Sequence, residues 1–230
     1  MRIWDVPAGY LNRQSLLGEH RELHGLRAIL AEGKTGYARH PETLRWVGCL
    51  SGLAQRHAWL VAEMRLRGYV DRSPIRRSHR LRWPDLFVTP VAAQYSLLRS
   101  KYLARQDGRI LLPRSAQELW AHHKYSVLAR DPAAYQGIGR RVARLRRGAR
   151  LDGLAEELVL VLREVPARSR LANALEHMWG YVSSGASHRD RIRARTSIRG
   201  LFDATCRMAV SVQQPYLLSS TSLSELAPFV

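Results

Sequence analysis

NRQSLLGEHRELHGLRAILAE, residues 12–32, sets leucine or isoleucine at 16, 17, 23, 26, 29 and 30 among charged and polar neighbours. That spacing of three and four lays one apolar stripe along a helix. Asn12 stands where an N-cap belongs, and Gly33-Lys34-Thr35-Gly36-Tyr37 ends the periodicity. His40-Pro41 then precedes a second helical pattern, predicted as one helix over 42–67, with Gly68 as its C′ stop. Residues 72–90 hold Pro74, Pro84 and Pro90 with Arg76, Arg77, Arg80 and Arg82 and show no helical period, so they read as a basic connecting arm. Asp107-Gly108 is a turn signal and Ser115 a cap. Further helices are predicted over 91–103, 116–130, 132–147, 151–165, 169–184 and 197–212, and the apolar run 158–162 is better absorbed into a helix than used as a strand. The expectation is an all-α protein without internal repeats, built as two helical domains at 1–105, including the arm, and 106–230.

The 230 residues are 46% hydrophobic, enough for a core in each domain. Thirty-seven Lys+Arg against 19 Asp+Glu leave a formal net charge of +18 and a pI near 11.1. Such a surplus calls for a polyanion, nucleic acid before an acidic membrane surface. Nearly every cation is arginine, the lysines being Lys34, Lys101 and Lys124. The planar guanidinium suits bidentate phosphate contacts. GC-rich coding also favours arginine over lysine, which accounts for the choice of cation and not for the surplus. Cys49 and Cys206 are isolated, so no zinc or iron–sulfur motif is formed and reduced thiols are expected. No segment reaches the roughly 18–20 apolar residues of a membrane span. Asp5 and Pro7 interrupt the start, so no signal peptide is read there. The expected setting is the cytoplasm, in association with the nucleoid.

The first helix carries Glu19-His20-Arg21-Glu22-Leu23, and the chain starts Met1-Arg2-Ile3-Trp4. A carboxylate can move protons, and an α-amine, whose ordinary pKa is about 7.7–8, is a usable nucleophile near neutral pH where a lysine needs activation. On residues alone, an E-x-R-E string also serves as a solvated helix face with local ion pairs.

These residues resemble the T4 endonuclease V family, pyrimidine-dimer DNA glycosylases with AP-lyase activity. Arg2-Ile3 matches the pair that follows the nucleophile, Gln14 a glutamine facing DNA, and Glu19, Arg21, Glu22 and Leu23 the helix motif. Leu60, Ala62, Glu63, Arg67, Gly68 and Tyr69 match the end of the second long helix, with tyrosine for phenylalanine, so the likeness covers about residues 1–70. The resemblance implies an N-terminal-amine nucleophile at Met1, which the bulky Arg2 protects from methionine aminopeptidase, and a catalytic carboxylate at Glu22. It also implies phosphate contacts from Arg2 and Arg21. Two positions depart from the family: Met1 aligns with a threonine exposed by processing, and Gly25 replaces a phosphate-contacting arginine, so that contact must come from elsewhere, with Arg27 a candidate. Damaged double-stranded DNA is the implied partner, and no cofactor or metal is called for.

In the second half, Trp120, His122, His123, Lys124, Tyr125, Pro132, Tyr135, Gly137, Gly139 and Arg140 resemble DUF1722 domains. Asn173, His177, Gly180 and Tyr181, with Pro215-Tyr216-Leu217, look like their later motifs. The likeness spans about 114–225 and brings no activity with it. Such domains also accompany thiouracil-desulfurising modules, whose cysteine ligands this chain lacks. His122, His123 and His177 have poor metal-site spacing, since adjacent helical residues point about 100° apart. The aromatics here serve either as core or as stacking platforms for bases. Arg140 and Arg141, with Arg76 and Arg77 of the arm, are the further DNA-binding candidates, as are the arginines at 189, 191, 193, 195 and 199. The function expected is base-excision repair through a Schiff base and β-elimination. A non-catalytic nucleic-acid-binding module and an enzyme of thiolated or modified nucleobases are the alternatives.

Overall fold

The structure is a computed structural model that describes residues 1–78 and 80–230. The chain folds into two compact units, Met1–Gly108 and Arg109–Val230. Among the described residues there are twelve α-helices and no strand, as the periodicity predicts. No helix is long and apolar enough to cross a membrane.

In the first unit α1 (Arg13–Glu32) starts where Asn12 accepts a hydrogen bond from the Ser15 N–H at 2.8 Å and stops at Gly33, φ +69°. Both ends thus satisfy backbone groups that a helix leaves orphaned. Leu16, Leu23 and Leu26 are fully buried and face α3 (Leu50–Leu66), where Leu53 and Leu60 are equally buried. Each such side chain contributes roughly 1.5–3 kcal/mol.

The single helix predicted over 42–67 is in fact two. α2 (Pro41–Arg45) ends after five residues, and α3 begins only at Leu50. Gly48 takes φ +74°, a left-handed turn that re-aims the chain while the Trp46 indole, 2% exposed, donates to Glu42 Oε1 at 3.2 Å. Burying that indole against the fold requires the break, and periodicity alone carries no sign of it. At the other end Gly68 (φ +80°) closes α3 as predicted: the Tyr69 N–H reaches the Met64 carbonyl at 2.9 Å and the Gly68 N–H the Arg65 carbonyl at 3.0 Å.

The arm between α3 and α4 (Val91–Tyr102) has no helix among its described residues. It lies on α3 at Gly52, whose N–H donates to the Arg82 carbonyl at 3.2 Å, beside Trp83 stacked on Trp59 with centroids 5.3 Å apart. A Cβ on Gly52 would stand 2.4 Å from that carbonyl oxygen. Gly52→Ala is therefore expected to lift the arm, destabilise the chain by about 1–3 kcal/mol and change the near-UV dichroism of the tryptophan pair. An unchanged spectrum with unchanged stability would contradict this packing.

The second unit is arranged around α5 (Ala116–Leu128), capped by Ser115, which accepts from the Glu118 N–H at 3.2 Å. It packs against α6 (Pro132–Arg144), α7 (Leu154–Arg163) and α8 (Arg168–Gly180). α6 turns Ile138 and Val142 inward and leaves Arg140, Arg141 and Arg144 exposed. The polar stretch 188–196, for which no helix is predicted, forms α9 (His188–Thr196). It buries no residue, so it has no apolar stripe for periodicity to detect. It packs instead on α10 (Ile198–Ser211), where a Cβ at Gly200 would meet the Arg193 carbonyl oxygen at 2.3 Å. α11 (Pro215–Leu218) and α12 (Ser222–Glu225) complete the unit. Thr221 between them donates its N–H to the His122 carbonyl at 2.9 Å.

Of the aromatics that could have served as platforms, Trp120 and Tyr125 are buried, and Tyr135 packs against Trp120 with centroids 5.5 Å apart. Tyr181, 44% exposed, is stacked on Tyr216 at 5.1 Å. These rings belong to internal packing first. His123 is 1% exposed, with Nδ1 2.7 Å from the Leu119 carbonyl, and burial pushes its pKa down to about 3. It is neutral in the fold, while the unfolded imidazole takes a proton below about 6.5. The unfolded state therefore binds more protons between those values, and stability is lost as pH falls from about 6.5 toward 3. His123→Gln, whose amide can still donate to Leu119, should flatten the dependence of melting temperature on pH between 7 and 5.

Candidate active site

The first six residues form a strap crossing α1, α2, α3 and α4, and five successive residues have a backbone group bound by a side chain from one of those helices. The Arg2 N–H donates to Glu22 Oε2 at 2.5 Å. The Ile3 carbonyl accepts from Arg45 at 2.8 Å, and the Trp4 N–H donates to Glu19 Oε1 at 3.2 Å. The Asp5 N–H donates to Gln94 Oε1 at 2.9 Å, and the Val6 carbonyl accepts from Arg56 at 2.9 Å. Ile3 and Val6 are buried alongside. Chain termini ordinarily fray; here side chains substitute for the ladder that a strand would have given these backbone groups.

The clamps are themselves fixed. Arg56 grips both oxygens of Glu19, Nε to Oε1 at 2.7 Å and a terminal nitrogen to Oε2 at 2.8 Å, with the Glu19 side chain wholly buried. Burial pushes the Glu19 carboxyl up, and the Arg56 charge and hydrogen bonds with the Trp4 N–H pull against it. Arg45 holds Asp5 at 3.0 and 3.2 Å and Glu42 at 2.7 Å. Gln94 returns its amide to Asp5 Oδ2 at 2.8 Å and to the Thr89 carbonyl at 2.9 Å.

Glu22 is half-buried, one turn along α1 from Glu19. Peptide bond lengths keep the Met1 nitrogen within about 3.7 Å of the Arg2 nitrogen, so the α-amine and the Glu22 carboxylate share one corner open to solvent. The half-buried Arg2 turns its guanidinium over the Trp4 ring, 4.9 Å from the centroid, and reaches Thr89 Oγ1 at 3.4 Å. Arg21 and Arg27 are exposed on α1, and Gln14 is exposed near its start, where its oxygen accepts from Arg105 at 2.9 Å. Arg76 and Arg77 are exposed on the arm, the latter donating to Gln55 at 3.2 Å. In the second unit Arg140 is exposed, while Arg141 is exposed and paired with Glu157.

The Arg2 backbone and the Glu22 side chain are thus brought together, with Met1 next in the chain. Arg45, Arg56 and Gln94 do not stand out in the sequence. Their signal is weak, because each acts on a residue at least 40 positions away along the strap. The second unit also has an open groove of about 690 Å³ between α8, α9 and α10, lined by Glu176, Trp179, Arg191 and Arg195 among others.

Residues 1–77 match the family model described as pyrimidine dimer DNA glycosylase, and residues 124–225 match that of a protein of unknown function, DUF1722. Both resemblances read from the sequence are thereby met. No curated protein and no solved structure matches the chain.

Proposed function

We propose that the chain is a DNA glycosylase with AP-lyase activity, acting on damaged duplex DNA through the Met1 amine and Glu22. The hydrogen bond from the Arg2 N–H to Glu22 carries this reading, because it ties the residue next to the α-amine to a carboxylate at the open edge of the strap. The likeness of residues 1–77 to pyrimidine dimer DNA glycosylases supports the same chemistry.

In the proposed reaction the amine attacks C1′ of the damaged nucleotide. The glycosidic bond breaks, and its electron pair leaves with the base, which takes up a proton. The bound amine gives up a proton, the C1′–O4′ bond opens with its electron pair going to O4′, which takes up a proton, and the resulting iminium acidifies the C2′ hydrogen. Loss of that proton drives β-elimination: the C3′–O bond breaks, the phosphate departs with the electron pair, and the strand is nicked 3′ to the lesion. Glu22 serves as acid and base in these proton movements and stabilises the positive charge that develops on the sugar. Arg2 and Arg21 hold the flanking phosphates, supported by Gln14 and Arg27, with Arg76 and Arg77 of the arm, and Arg140 and Arg141 of the second unit, as further phosphate contacts. C1′ is screened inside an intact stack, so the nucleotide must be extruded, which costs least at a damaged step. Cyclobutane pyrimidine dimers are the substrate proposed, and the 1–105 segment the catalytic domain.

The test is incubation with otherwise identical duplexes carrying an abasic site, a cyclobutane dimer or no lesion. Nicking of the first two with β-elimination ends is expected. A preparation with a mass-verified free α-amine that nicks neither overturns the assignment.

A further inference from the structure

Three imidazoles and one carboxylate meet in the first unit on the side of α1 turned away from Glu22, with Arg27 near them. His20 and His24 stand one turn apart on α1, His57 faces them from α3, and Asp71 follows the Gly68 turn that ends α3. The ring centroids form a near-equilateral triangle, 4.8, 4.9 and 4.9 Å on a side. His20 Nε2 lies 3.1 Å from His57 Nε2 and 3.3 Å from Asp71 Oδ1, and His57 Nε2 lies 4.0 Å from Asp71 Oδ2. One ligand atom from each of the four residues falls within 4.8 Å of every other. Among the described residues this is the only such group of three or more; His122, His123 and His177 do not form one.

Hydrogen bonding leaves this arrangement short of protons. A neutral imidazole has one N–H, yet His20 Nε2 approaches both the His57 nitrogen and the Asp71 oxygen. His24 Nε2 is buried and has no hydrogen-bond partner among the described residues. A buried polar atom without a partner calls for an unseen one. We propose that His20, His24, His57 and Asp71 bind a divalent zinc ion with four-coordinate geometry.

With Zn–N bonds of 2.0–2.1 Å, the edge of a tetrahedral site is about 3.3 Å, close to the two shortest separations here. Three nitrogens and one carboxylate oxygen, without thiolate, are an ordinary zinc donor set, and the single negative charge partly neutralises the ion. Four protein ligands close the coordination sphere, the mark of a structural site. At about 100° per residue, His20 and His24 face some 200° away from Glu22 on α1. The ion therefore touches no reacting atom; it fastens α1 to α3 and to the segment after Gly68.

Zinc alone is the probe. The full chain, stripped with chelator and reloaded, should retain one zinc per chain through gel filtration. It should give an intense visible cobalt(II) band typical of a tetrahedral site and melt at least about 5 °C higher with saturating zinc than without. His24→Ala and Asp71→Asn should each lose the cobalt band and the zinc-dependent shift while their dichroism without metal matches that of the parent. A folded parent that retains no zinc, or both variants binding zinc as tightly as the parent, overturns the site. Should His24→Ala fail to fold, Asp71→Asn decides, since it removes one donor while keeping side-chain volume and the chance of a hydrogen bond to His20.

Discussion

Borohydride will trap a covalent complex between this chain and abasic DNA, and Glu22→Gln will slow its formation by about 10²–10⁴-fold, the span that a positioned acid–base group contributes. The substitution is informative because it spares the scaffold. The glutamine side chain would keep an oxygen to accept the Arg2 N–H, which now binds Glu22 Oε2 at 2.5 Å, and the half-buried position makes a stability change within about 0.5 kcal/mol the expectation. Loss of rate without loss of melting temperature separates proton transfer from folding. Blocking the α-amine by acetylation should abolish trapping altogether, whereas Glu22→Gln should leave a slow residue of it. Trapping that survives acetylation would place the nucleophile on another amine, of which the sequence has three, Lys34, Lys101 and Lys124. Rapid trapping by the glutamine variant would remove Glu22 from the chemistry and leave it as an anchor for the strap.

The elements legible in the sequence are those whose causes are local. α1 shows its cap at Asn12, its stripe and its stop at Gly33 within about 20 residues, and the Schellman end of α3 needs only Gly68. Glu22 is legible because it lies in a compact motif on that helix. The clamps are not: Glu19 meets Arg56 from 37 positions away, and Gln94 meets Asp5 from 89. Nothing in either neighbourhood announces the pairing, and a buried glutamate on a charged helix face has the same local pattern as an exposed one. The histidine cluster fails to stand out for the same reason. His20 and His24 have helical i, i+4 spacing, but only the packing of α1 on α3 adds His57, and only the turn at Gly68 brings Asp71 back. α9 goes unseen for the opposite reason. Its helix is plain in the backbone, and it lacks the apolar stripe on which detection depends.

Arg56→Met will be the most damaging single substitution in the first unit, at about 3–5 kcal/mol. The methionine fills much of the space, so the cost is electrostatic: Glu19, with a wholly buried side chain, would lose both Arg56 hydrogen bonds and the cation that grips it, and the Val6 carbonyl would lose its donor. Against a native stability of about 5–15 kcal/mol, this brings the unit close to unfolding at growth temperature. The pH response gives the mechanism away. Burial already pushes Glu19 up, and without Arg56 the Trp4 N–H is left to oppose that push, so the folded carboxyl keeps its proton well above the range of an unfolded glutamate. The folded variant then binds more protons than the unfolded chain, and its stability should fall as pH rises from about 5 to 8, more steeply than in the parent, whose Glu19 carboxyl is also pushed up. Replacing both partners, Glu19→Met with Arg56→Met, should recover most of the lost stability, because an apolar pair of similar volume escapes the desolvation cost. It should not recover covalent trapping. The double variant has no acceptor for the Trp4 N–H and no donor for the Val6 carbonyl, so the strap loses two of its five clamps and Met1 is no longer held beside Glu22. A double variant that is both stable and fully active would mean that the buried pair serves folding alone. A stable but inactive one would assign Glu19 and Arg56 to positioning the N-terminus, with rescue by Arg56→Lys, which keeps the charge, expected to be partial in both measurements.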